Sequence, residues 1–95
     1  MVKIKTTEGI FDYQISNLPD RKLMVKVNGK TVHFGLLPYQ HYHDRTGLLP
    51  KSLNHGDEKR RKAYLARAGA IKLDNGKLAK DDPTSPNFHA IQILW

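Results

Sequence analysis

Hydrophobic and polar positions alternate with a period of two from Val2 to Thr6 and again from Ile10 to Ile15, the pattern of half-buried strands. Ile4, Phe11, Tyr13 and Ile15 are the apolar residues offered to one face, with Glu8-Gly9 as turn material between the two runs. A polar loop from Asn17 to Asp20 leads into Lys22-Leu23-Met24-Val25-Lys26-Val27, then Asn28-Gly29, then Lys30-Thr31-Val32-His33-Phe34. Asn-Gly between alternating runs predicts a tight hairpin, since both central residues of such a turn take positive φ.

From Gly35 to Leu53 the alternation stops, punctuated by Pro38, Gly47 and Pro50 around the cluster Tyr39-Gln40-His41-Tyr42-His43. The expectation is a long connection with a helical turn, held on the sheet by Leu36, Leu37, Leu48 and Leu49. Asp57 suits an N-cap and Glu58 favours the positive end of the helix dipole, so a helix should run to about Ala68 with Gly69 at C′. On that helix Tyr64, Leu65 and Ala68 form the apolar stripe, with Arg61 among them and expected to pair with Asp57. Arg60, Ala63 and Arg67 form an adjacent stripe, while Lys59 and Lys62 point away from the core.

Asp74-Asn75-Gly76-Lys77 predicts a second tight turn and Asp81 to Pro83 a polar loop. Ser85-Pro86 then supplies an N-cap and an N1 proline for a short closing helix with Phe88, Ile91, Leu94 and Trp95 on one face. Strand alternation of His89, Ile91, Ile93 and Trp95 is the competing reading. The fold class that follows is α+β: a small antiparallel sheet of about four strands packed with a central basic helix and a short C-terminal helix. It is a single domain over residues 1–95, with a β-rich part (1–35), a Tyr/His loop (36–56), the basic helix (57–69) and a turn with the aromatic segment (70–95).

Composition narrows the setting. The chain has 95 residues and no cysteine, so disulfides and thiolate metal sites are excluded and stability rests on packing. Alternation at the start argues against a signal peptide, and no run approaches the roughly 20 apolar residues that span a bilayer. An intracellular protein with no membrane partner is expected.

Charge sharpens the picture. The net charge is +7, and residues 51 to 69 hold six basic side chains against two acidic ones. Such a block attracts nucleic acid or another polyanion, and its bland alternative is a solvated face that keeps the protein soluble. Lys51, Lys59, Arg60, Lys62 and Arg67 are the candidate phosphate contacts, with Lys22, Lys26 and Lys30 extending the field if the sheet edge lies nearby. Ala63 is small enough to let a phosphate approach between the arginines. Tyr39 and Tyr42 are candidates for stacking on unpaired bases or for a partner contact.

His41 and His43, with His55 or Asp44, are weak candidates for a metal site, and packed or capping histidines are the ordinary reading. A nuclease of the HNH type needs a metal-binding histidine on the helix after Asp57, and that helix has none. Phosphate loops, nucleophile elbows and paired carboxylates are missing too, and Asp81-Asp82 reads as loop solvation. Neither catalysis nor a cofactor is indicated.

Val32-His33-Phe34-Gly35, Tyr39-Gln40-His41-Tyr42, the stretch from His55-Gly56-Asp57-Glu58 through Arg60-Arg61-Lys62 to Tyr64, and Ile93-Leu94-Trp95 together form a pattern. In it the chain resembles a family of small basic proteins of large double-stranded DNA viruses and tailed phages, over about residues 22 to 95. The resemblance implies a viral setting, in the host-cell cytoplasm or the virion, and lends no catalytic residues. The leading expectation is an accessory protein that binds nucleic acid without sequence preference. Its alternatives are a virion structural or host-interaction protein that docks through the Tyr39–His43 loop and Trp95, and, more weakly, a metal-dependent nuclease.

Overall fold

A computed structural model describes residues 2–95. Four strands, β1 (Val2–Thr6), β2 (Gly9–Ile15), β3 (Arg21–Val27) and β4 (Lys30–Leu36), form one antiparallel meander in the order β1-β2-β3-β4. Two helices follow, α1 (Glu58–Ala68) and α2 (Pro86–Leu94), with single 3-10 turns at Lys51–Leu53 and Ala79–Asp81. The α+β class and the element order agree with the sequence reading, and the Asn28-Gly29 hairpin has the expected positive φ at both residues, 51° and 81°.

Register puts the alternating apolar residues on one face. Tyr13 pairs with Val25, Leu23 with Phe34 and Val25 with Val32. Onto that face α2 lays Phe88, Ile93 and Leu94, all fully buried. Burial of such side chains contributes roughly 1.5–3 kcal/mol each, so this layer dominates stability. Ile15 shares the face but lies beyond the helical cover and is exposed.

His89 sits in the middle of this core with no exposed surface. Its Nε2–H donates to the Pro83 carbonyl at 2.7 Å, which leaves Nδ1 to accept from the Tyr13 hydroxyl at 2.8 Å. Burial holds this imidazole below its usual range and raises the Tyr13 phenol, so both are neutral. The helix reading of this segment is correct, with Ser85 accepting from the Asn87 amide. Its buried stripe is Phe88, His89, Ala90, Ile93 and Leu94, however, and Ile91 is only half-buried, because α2 turns its 89/93 side to the sheet.

Residues 37–56 are knitted in place. The His41 amide donates to the Leu53 carbonyl, and the His55 and Gly56 amides return to the carbonyls of His41 and Tyr42. The Asp44 carboxylate accepts from the amides of Thr46 and Leu49 and from the Thr46 hydroxyl. The same segment ends α2: the His43 and Arg45 amides donate to Leu94 and Ile93, and Arg45 Nη1 to Gln92, so carbonyls that the helix leaves orphaned find donors. Leu48 and Leu49 pack against the core as expected. Leu36 and Leu37 do not; they are 49% and 39% exposed at the end of β4.

Candidate nucleic-acid interface

Asp57 starts α1 as predicted, its carboxylate accepting from the amides of Lys59 and Arg60 at 2.9 and 3.3 Å. Gly69 ends the helix in a right-handed conformation, φ −68°, and not the left-handed C′ geometry expected. A Cβ there would lie 2.7 Å from the Leu65 carbonyl, so close backbone approach is its reason.

The stripes on α1 separate by task. Tyr64 stacks on Trp95 with ring centroids 4.0 Å apart and planes 8° from parallel. Arg61 does not pair with Asp57: its Nε donates to the Trp95 carbonyl at 2.8 Å, Nη1 lies 3.7 Å from Glu58, and Cζ sits 5.0 Å over the Tyr42 ring. Glu58 lies one turn away on the same side, and the carbonyl past the end of α2 outcompetes a carboxylate already committed to capping. Tyr42 donates its hydroxyl to Glu58, which raises its pKa. It is therefore engaged within the fold.

Arg60, Ala63 and Arg67 face a different space, a cleft of about 760 Å³ between α1, the edge formed by the start of β3 with the end of β4, and α2. Arg21 and Lys22 enter it from the sheet, Tyr39 and Gln40 from the connection, and Ala90 and Leu94 from α2. Four cationic residues line the cleft and, among the described residues, no carboxylate side chain does. Arg60 reaches Gln40 Oε1 at 3.3 Å, and among the described residues neither Arg60 nor Arg67 forms an ion pair. Arg21 is tied to Asp20 at 2.8 Å.

Lys22 is the residue that the pattern misplaces. Alternation from Leu23 assigns it to the open face, yet it is 3% exposed, because His41 folds onto it and Gly35 leaves room for its stem. Its ammonium donates to His41 Nδ1 at 3.0 Å, so His41 Nε2–H donates to Asn54 Oδ1 at 2.6 Å. Burial pushes Lys22 down to about 8 against a smaller opposing pull from Asp44, and burial with the Lys22 charge lowers His41. This row of side chains ties the connection to the sheet and so positions Tyr39 and Gln40.

The remaining predicted residues scatter. Lys59, Lys62 and Lys51 are exposed outside the cleft, and Lys26 and Lys30 lie at the far hairpin. Tyr39 stands at the cleft, 68% exposed. His41 is buried, His43 is exposed, and His55 accepts from the Asp57 amide through Nδ1, and so acts in the turn before α1. Among the described residues no three His, Cys, Asp or Glu side chains gather as a metal-holding group. Arg21, Gln40 and Tyr64 join the cleft without a warning in the sequence, since each arrives from a different element. Among the described residues no helix is long and apolar enough to cross a membrane. Comparison with protein-family models, with curated proteins and with solved structures finds no match to this chain.

Proposed function

We propose that this chain is a small basic accessory protein, of viral or phage setting by its resemblance, that binds nucleic acid through phosphate contacts without reading base sequence. The observation that carries the reading is that Arg60 and Arg67 of α1, neither of them ion-paired among the described residues, face one cleft that no carboxylate side chain lines. Lys59, Lys62 and Lys51 supply an outer field that guides a polyanion to it. Charge of one sign around a concave surface favours phosphate, a contact that carries no base sequence. A docking role for the Tyr39–His43 loop and Trp95 has fewer free groups to use, since Tyr42 is held by Glu58 and Arg61, and Trp95 by Tyr64.

Fluorescence anisotropy of a labelled oligonucleotide across a salt series tests this reading. The logarithm of affinity should fall linearly with the logarithm of salt, and Arg60→Gln with Arg67→Gln should reduce the slope by about two. Absence of binding to DNA and RNA at about 50 mM salt would defeat it.

A further inference from the structure

We propose that the cleft receives one unpaired nucleotide, its phosphate at Arg60 and Arg67 and its base against the apolar floor, so that the protein prefers single strands to duplex. This deepens the phosphate-binding reading above and rests on it. The lining combines exposed arginines on the α1 wall with the apolar or aromatic groups Tyr64, Leu36 and Leu94. A nucleotide has the same division, an anion joined to a flat ring with two π faces. The cleft volume, about 760 Å³, falls within the range of sites that enclose small ligands.

Spacing supports the same ligand. Arg60 and Arg67 are separated by about 10.5 Å of helix rise, with Ala63 and Tyr64 on the cleft wall between them. The small Ala63 leaves room for a phosphate between the two arginines, with Tyr64 in the same lining for the base. At the mouth Tyr39 presents its ring to solvent, a stacking platform for the neighbouring base. A base inside a duplex must be unpaired and unstacked before it can enter such a recess, and an unpaired base need not.

The test uses the full chain with a labelled single strand on the order of 12 nucleotides and a duplex of the same length, at equal salt. Adenosine monophosphate and inorganic phosphate serve as competitors. The single strand should bind at least about tenfold tighter than duplex, and the mononucleotide should compete at lower concentration than phosphate. Ala63→Leu fills the cleft from an exposed position with a strong helix former, so α1 persists, as circular dichroism will check. It should weaken single-strand and mononucleotide binding about tenfold or more and weaken duplex binding less, so that the preference for the single strand shrinks. If that variant does not fold, Tyr39→Ala, exposed in the parent, should still weaken the single strand and spare the duplex. Equal affinity for both strand forms, or an Ala63→Leu protein that folds and binds unchanged, overturns the cleft proposal and leaves the phosphate reading standing. Failure of both oligonucleotides to bind defeats the phosphate reading itself.

Discussion

Gly35 shows how much one residue decides. It takes φ +77°, and a Cβ there would meet Leu94 Cδ1 and Lys22 Cδ, both at 3.0 Å. The missing side chain is therefore what lets α2 approach the end of β4 while the Lys22 stem passes beside it. Gly35→Ala should cost about 1–3 kcal/mol, from left-handed backbone strain plus displaced packing, read as a lower urea midpoint with an unchanged m-value. His-Phe-Gly was visible in the sequence as the end of a strand. Its role was not, because the atoms that crowd it come from residues 13 and 59 positions away. His89 makes the same point: strand or helix, its neighbours offered no sign that Tyr13 and Pro83 would hold it as a neutral core residue.

At the scale of elements, local signals with a local mechanism hold. The Asn-Gly turn, the Asp57 cap and the Ser85-Pro86 start each act within four residues, and each is in place. Asp57→Ala should destabilise the protein by about 1 kcal/mol, in the range of N-cap removals, and thermal unfolding followed by circular dichroism will measure it. Binding should weaken with it if Arg60, three residues on, loses its fixed direction. Rotational settings were less legible. The wheel for α1 groups Arg60, Ala63 and Arg67 as the cleft does and sets Ala68 apart from them, although Tyr64 borders the cleft too, whereas α2 is turned away from its expected 88/91/94/95 face. An apolar helix offers several faces, and the sheet beneath chooses among them.

For the whole molecule, the buried imidazoles and the buried lysine make stability depend on pH. His41 and His89 are lowered by burial, so between their folded values and about 6.5 the unfolded chain binds more protons, and stability falls as pH drops through that window. Lys22, at about 8 folded and roughly 10.5 unfolded, adds stability as pH rises above 8. Burial raises Tyr13 and Tyr64, which reverses the trend above about 10, where the unfolded phenols ionise first. Urea unfolding from pH 5 to 9 should show stability rising with pH, and His89→Gln should flatten the slope below 6.5; an unchanged acid slope would show that His89 is not buried in neutral form. The charge block also divides at this scale: Arg61 is spent on the end of α2, Arg60 and Arg67 face the cleft, and Lys59 and Lys62 remain outside it.

The sequence by itself determined the class of the fold, its element order, the hairpin, both helix starts and the α1 stripe that carries Arg60 and Arg67. Those follow from periodicity and from capping chemistry, which act over a few neighbouring residues. Only the tertiary structure decided that Lys22 is buried, that Leu36 and Leu37 stay exposed, that Arg61 turns to Trp95, and that Arg21, Gln40 and Tyr64 share a cleft with the two arginines. Each of those outcomes depends on side chains brought together from distant elements, and no local pattern in the chain encodes which partners will arrive.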